Sequence, residues 1–371
     1  MSKDVKKHLL EHSAAKVKLL GEYIARFLNI ISNDRYTENI HVYDLFCGEG
    51  QYEDGGLGSP LVIMNAVKDI HFKNVAKKDT FPKINCQFND IETAKVDSTS
   101  AAIAANNLYY SSFGDIEYSS EDYLELIPKL TEKLSELKNE KAFVFIDPYG
   151  YKHIRMQNII DLMSNNKTEV LLWLPTQFMY RFESNGTPTA LKDFIEELVP
   201  YQDWTESTNV WTFVDTLKNE FQNAIGDEYF VDNFTIEKDA NTVFCLYFFT
   251  SHIKGFEKML ESKWKIDDDH GKGWSYQGNQ GDLFAAMNMN PLEEKLMEFL
   301  NEPRTNGEIF EFTLRCGYLS KHSKEILSNL QKQGNIKAIL EDTSDARKNA
   351  FYLNYKCYKE EYSKITVSKT I

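Results

Sequence analysis

Apolar side chains recur at helical spacing through Val5, Leu9, Leu10, Val17, Leu20, Ile24, Phe27, Leu28 and Ile31, which predicts one long helix or two short ones before the first strand. The periodicity then changes. Ile40-His41-Val42-Tyr43-Asp44-Leu45-Phe46 is a short β-rich run ending at glycines, the pattern of a strand buried on both faces of a parallel sheet. Ser59-Pro60 ahead of Leu61-Val62-Ile63-Met64 predicts a helix start, with Ser59 as cap and Pro60 in the first turn. Further runs predict strands at 83–88, 116–118, 141–147 and 169–174, with helices at 92–107, 122–138 and 155–164. Such alternation requires a mostly parallel sheet covered on both faces. After a helical insertion at about 185–225, residues 230–236 and 242–250 predict an antiparallel hairpin that closes a seven-stranded sheet. The segments around His252-x-Lys254-Gly255 and Asp267 to Gly273 carry mostly polar side chains and are expected to be loops.

From Pro291 the order changes to helices at 291–301, 306–315 and 321–333, then extended runs at 336–340 and 350–355 around a polar turn. That is the order of a winged helix-turn-helix. The expected domains are therefore 1–287, an α/β domain with N-terminal helices, and 288–371. Lys321, His322, Lys324, Asn329 and Lys332 occupy polar positions of the third helix, and Arg347 and Lys348 the expected hairpin tip. These are the candidate nucleic acid contacts.

Charge sharpens the division. The chain has 42 Lys and Arg against 56 Asp and Glu, net -14. The first 290 residues hold 29 against 44, net -15, whereas 291–371 hold 13 against 12 and the stretch from Arg315 holds 11 against 6. An acidic body repels a phosphate backbone, so any nucleic acid contact must be local to the C-terminal module. Five dispersed cysteines without a CxxC or HxxxH pair argue against a disulfide framework or a metal site. With neither a signal peptide nor a membrane-length apolar run in the sequence, the expected location is the cytoplasm.

The candidate chemistry lies at strand ends. In Asp44-x-Phe46-Cys47-Gly48-Glu49-Gly50, Gly48 and Gly50 let the backbone pass close to a ligand, and a helix follows. The next strand ends in Asn89-Asp90 about 40 residues later, a spacing that fits ribose hydroxyls held by a carboxylate. It is longer than the roughly 20 residues of a dinucleotide fingerprint, and GxGxxG is missing, so an S-adenosylmethionine pocket is favoured over a nicotinamide one. Asp122, after the third strand, either meets the adenine or caps the next helix. In Asp147-Pro148-Tyr149-Gly150 a carboxylate and a proline carbonyl can accept both hydrogens of an amine, with Tyr149 as a stacking face. An Asp-Pro turn beside a buried tyrosine is the simpler alternative. Arg181, after the fifth strand, either contacts an acidic or phosphorylated substrate or pairs with a surface carboxylate.

Asp44-Leu45-Phe46-Cys47-Gly48-Glu49-Gly50-Gln51-Tyr52, Gly58-Ser59-Pro60-Leu61, Phe145-Ile146-Asp147-Pro148-Tyr149-Gly150, and Leu174-Pro175 with Arg181 downstream resemble the three-Cys-motif partner protein (TcmP) family. The N-terminal His12, Lys16 and Tyr23 extend the likeness over roughly residues 8–285. The resemblance implies a Rossmann-like class I methyltransferase fold binding S-adenosyl-L-methionine, and a separate partner protein bearing three cysteines. Where amino-methyltransferases carry DPPY or NPPY this chain carries DPYG, and a DPFG-like motif occurs in a tRNA guanine amino-methyltransferase family. The expectation is methyl transfer to an amine, of a nucleic acid base delivered by the winged helix, with Asp147, Pro148 and Tyr149 aligning it. A base in a duplex must then be flipped out. The alternatives are a non-catalytic nucleotide sensor and an accessory subunit of the three-cysteine partner.

Overall fold

The computed structural model describes residues 9–75, 81–148, 154–182, 209–277, 291–360 and 364–370. The chain divides into two compact units, Met1–Lys258 with Lys272–Gly278, and Met259–Gly271 with Asn279–Ile371.

In the first unit the amphipathic N-terminal stretch is one helix, α1 (Glu11–Ile31), followed by β1 (Asn39–Asp44), α2 (Ser59–Asn74), β2 (Lys83–Asn89), α3 (Thr93–Ala105) and β3 (Ile116–Ser119). Next come α4 (Tyr123–Ser135), β4 (Glu140–Ile146), α5 (Met156–Met163), β5 (Thr168–Leu174), α6 (Thr176–Phe182) and α7 (Val210–Ile225). Then follow β6 (Phe230–Asp239), β7 (Thr242–Thr250), α8 (Ile253–Ile266) and β8 (Gly273–Ser275). The sheet order is β3-β2-β1-β4-β5-β7-β6-β8. Strands β1 to β5 are parallel, and β7 runs antiparallel between β5 and β6. This is an open, mostly parallel Rossmann-like α/β sheet closed at one side by antiparallel β7. The chain travels outward from β1 through β2 to β3 and then returns to β4 on the other side, so the crevice between the carboxyl ends of β1 and β4 is where an open α/β sheet binds ligands.

Every residue of β5 is buried, and so are Ala142 to Ile146 of β4, which is why these runs are almost uniformly apolar. On one face α4, α5 and α7 pack against Tyr43, Val144, Leu172 and Tyr247. Glu169 of β5 is buried; its Oε2 accepts the Tyr23 hydroxyl and its Oε1 the Thr250 hydroxyl at 2.9 Å, which fixes α1 to the sheet. Burial pushes its pKa up to about 7. Gly255 leaves the space for that carboxyl, since a Cβ there would lie 2.1 Å from Oε1.

Three expectations are corrected here. The sheet has eight strands, not seven, because Gly273–Ser275, directly after the expected polar loop Asp267 to Gly273 and sharing its last residue, pairs with Thr235–Glu237 of β6; three residues are too few for a legible alternation. The segment after His252 is helix α8, whose Ile253, Phe256, Met259 and Leu260 are buried at helical spacing among lysines. The cap of α2 is Gly58, with Ser59 first in the helix, because a Cβ at Gly58 would lie 2.7 Å from the Gly50 carbonyl. The expected insertion at about 185–225 lies outside the described residues up to 208, and α7 takes up its end.

The second unit holds the last turns of α8, α9 (Pro291–Phe299), β9 (Arg304–Thr305), α10 (Asn306–Arg315), α11 (Ser320–Gln333), β10 (Ile336–Leu340), α12 (Tyr355–Glu360) and β11 (Ile365–Lys369). Thr305 and Glu308 form a reciprocal capping box on α10, and Gly334 ends α11 in the left-handed conformation at φ +79°. The wing departs from expectation. The partner of β10 is β11, with β9 on its far side, and residues 350–353 are not a strand. The tight turn falls at Asp342–Ser344, where the Asp342 carboxylate accepts the Ser344 amide at 3.0 Å and Thr343 takes φ +67°. Arg347 and Lys348 therefore lie beyond the turn, exposed. Among the described residues no helix is long and apolar enough to cross a membrane.

Candidate S-adenosylmethionine-type site

The loop after β1 is closed by its own hydrogen bonds. The Cys47 amide donates to the Asn89 carbonyl at 2.8 Å, Gly48 N–H to Asp90 Oδ2 at 3.2 Å, and Gly58 N–H to the Gly50 carbonyl at 2.8 Å. The Thr99 hydroxyl of α3 donates to the Gly48 carbonyl at 2.8 Å. Gly48 and Gly50 both take positive φ, +61° and +77°, where side chains are disfavoured. They differ in surroundings: a Cβ on Gly50 would meet Thr99 Oγ1 at 2.9 Å, whereas one on Gly48 would enter open space. Burial keeps the Cys47 thiol protonated by raising its pKa far above the ordinary value, so it is no nucleophile.

Asp44 is the buried acid of the site. Its Oδ1 accepts the Phe46 amide at 3.3 Å and the Ser59 hydroxyl stabilises the carboxyl, while Oδ2 makes no hydrogen bond of full geometry among the described residues. Burial pushes its pKa up to about 7; the Ser59 hydroxyl partly offsets this, and the charge of Asp147 adds to it. A buried acceptor without a donor is costly.

Asp147 follows β4 at the other side of the crevice, and Lys16 of α1 donates to its Oδ2; the two side chains are 14% and 19% exposed. The same ammonium lies 5.0 Å from the centre of the Trp173 ring at the end of β5. Trp173 stacks on Phe244 at 4.9 Å and Phe244 on His12 at 5.6 Å, which builds an aromatic wall beside the carboxylate. Burial, aided by the charges of Lys238 and Lys16, lowers the His12 pKa to about 4, so its ring is neutral at physiological pH. Tyr52 is raised by burial, with Lys16, Asp147 and the Ser13 hydroxyl all acting on it. The crevice thus brings together Asp44, Tyr52, Asp147, Trp173 and Lys16.

The other expected residues are placed as follows. Phe46 is half-buried and stacks on Tyr123 at 5.5 Å. Asp90 is nearly buried and engaged: besides Gly48, it accepts the Glu92 amide at 3.0 Å and lies 3.5 Å from Lys95 Nζ. Asp122 caps α4 by accepting the Leu124 amide at 2.8 Å. Pro148 is buried, and Tyr149 lies outside the described residues. Arg181 is the next-to-last residue of α6. Lys321 and Lys324 are exposed on α11, opposite buried Ser323, Ile326, Leu327 and Leu330. His322 departs from the expected polar face: its ring lies 4.2 Å from Trp264 and its Nδ1 accepts the Leu319 amide at 3.1 Å. Among the described residues no three metal-ligating side chains come together.

Two residues that organise this edge were given no role by motif spacing. Lys16 matters because α1 aims His12, Lys16, Leu20 and Tyr23 along one stripe; polar residues on an apolar stripe were the available signal. Asn89 is fully engaged at the centre of the edge, donating to the Leu45 carbonyl at 3.2 Å and the Glu121 carbonyl at 3.0 Å, and accepting the Ser119 hydroxyl and the Glu121 amide at 2.9 Å each.

Comparison with known proteins adds one matched region. Residues 272–343 match the GMT-like wHTH domain. The chain matches no curated protein. Among solved structures it is similar to protein LPL1258 from Legionella pneumophila, with 11% identity and a TM-score of 0.39 over 67% of this chain and 86% of that one. It is also similar to an O-methyltransferase from Bacillus cereus in complex with SAH, with 10% identity and a TM-score of 0.33 over 62% and 80%.

Proposed function

We propose that the first unit binds S-adenosylmethionine and transfers its methyl group to an amine, with the winged helix presenting a nucleic acid substrate. The observation that carries this reading is buried Asp44, set at the β1–β4 switch point behind a glycine loop, with its Oδ2 short of a well-formed hydrogen bond among the described residues. In this reading Asp44 takes the ammonium of the methionine moiety, Gly48 admits it while Gly50 turns the loop beside it, and Asp90 and Asp122 border the nucleoside end. The ligand supplies a methyl already activated by positive sulfur. Asp147 with Pro148 orients the acceptor amine and Tyr149 stacks on it. Arg181 is proposed to contact the substrate, as are Lys321, Lys324, Arg347 and Lys348 of the second unit. The likeness of the motifs to the TcmP family supports the assignment and adds a three-cysteine protein as partner.

Calorimetry with S-adenosylhomocysteine tests the first step: binding to the wild type and a loss of at least about tenfold in Asp44→Ala are expected, as for a charge-assisted hydrogen bond. Absence of binding to the wild type sinks the reading. One pair of observations favours a sensor or accessory role instead: the body is strongly acidic, and Lys16 already engages Asp147. Ligand binding without methyl transfer to DNA, RNA or protein would select that second reading.

A further inference from the structure

The amine that Asp147 holds in this structure is the chain's own. From this geometry we propose that Lys16 is itself a methyl acceptor, so that the protein methylates its own Lys16; this rests on the S-adenosylmethionine reading of the crevice.

Three observations converge on it. Lys16 Nζ sits on Oδ2 of the one carboxylate that follows β4 at the switch point, where an acceptor amine has to be held. Its second neighbour is the face of Trp173, 5.0 Å away. A carboxylate beside an indole face suits a methylated ammonium as well as an unmethylated one, because cation–π attraction does not need an N–H. Finally, α1 does not carry the lysine away. It is fixed by Tyr23 on Glu169, by the Leu9 amide on Asp54 at 2.9 Å, and by Gly21 so close to α2 that a Cβ would lie 2.9 Å from Val62. Only the four-carbon side chain has freedom, and it already ends at Asp147.

The step balances without a further reactant. Lys16 gives a proton to the Asp147 carboxylate, which passes it to solvent. The freed lone pair on Nζ forms the bond to the methyl carbon, and the carbon–sulfur bond breaks with its electron pair on sulfur, leaving S-adenosylhomocysteine. Because the product keeps its positive charge, the pair with Asp147 survives the first transfer.

The test uses the full chain. It is incubated with S-adenosylmethionine, its intact mass is followed, and the modified residue is mapped by peptide fragmentation. In parallel, calorimetry with S-adenosylhomocysteine reads binding to the wild type, Lys16→Arg and Asp147→Asn, and thermal melting reports folding. The expected result is a mass gain of one or more methyl groups on Lys16, absent in Lys16→Arg and reduced at least about tenfold in Asp147→Asn, with S-adenosylmethionine supplied at a concentration that saturates each protein. Ligand binding with an unchanged mass overturns the proposal and leaves the pocket reading standing. Methylation of other lysines with Lys16 unmodified overturns it too. Failure to bind the ligand removes the pocket reading and the proposal together.

Discussion

At the scale of single residues, two buried carboxyls dominate the pH behaviour of the first unit. Burial raises Asp44 from 3.8 and Glu169 from 4.5, each to about 7. A raised acid favours the folded state while protonated, so its contribution is complete below the unfolded pKa and is lost as pH rises through about 7. Asp44→Asn and Glu169→Gln should therefore each flatten the fall in stability between pH 5 and 8, by an amount on the order of 3 kcal/mol for a shift of this size. Urea titrations at several pH values check it, and a fall as steep in the variants as in the wild type would refute the assignment. Asn89→Ala should lower stability by about 3 kcal/mol, since it strands buried groups at the Leu45 and Glu121 backbone; equilibrium unfolding is the measurement. The Asn89 and Lys16 partners are distant in sequence, so local pattern marked Lys16 only as a polar residue on an apolar stripe and assigned a partner to neither.

At the scale of elements, the glycine loop separates conformational need from ligand space. Gly50→Ala combines an unfavourable φ with a clash against Thr99 and should cost about 3 kcal/mol or more of stability. Gly48→Ala should cost only about 1–2 kcal/mol, since its methyl meets nothing within 4 Å, yet it should weaken S-adenosylhomocysteine binding if, as proposed, the ligand passes close to this loop. Melting curves and calorimetry on the two variants distinguish these outcomes. A stable Gly48→Ala that binds as well as the wild type would remove Gly48 from the site. Helices were legible where they are amphipathic, as in α1, α4 and α11, and strands where they are buried on both faces, as in β4 and β5. Elements of two or three residues such as β8 and β9 were not, because they exist through pairing and not through any period of their own.

At the scale of the whole molecule, charge and surface separate two kinds of work. The acidic first 290 residues disfavour a long nucleic acid track, whereas α11 presents exposed Lys321 and Lys324 from a module whose last stretch is basic. If the second unit contacts phosphate, Lys324→Glu should weaken retention of a DNA duplex in a gel by at least about fivefold and reduce the salt dependence of binding. Unchanged retention would exclude α11 as the contact.

The sequence by itself determined the strand–helix alternation, the switch-point motifs at Asp44 and Asp147 and the helical order of the C-terminal module, because periodicity, glycine punctuation and charge are local properties of the chain. Only the tertiary structure decided that Lys16 reaches Asp147, that Asp90 and Asp122 spend their oxygens on backbone amides, and that β11 pairs with β10 in place of residues 350–355. Those outcomes depend on which of several chemically able partners lies within about 3 Å, and that distance is set by packing between segments far apart in the chain.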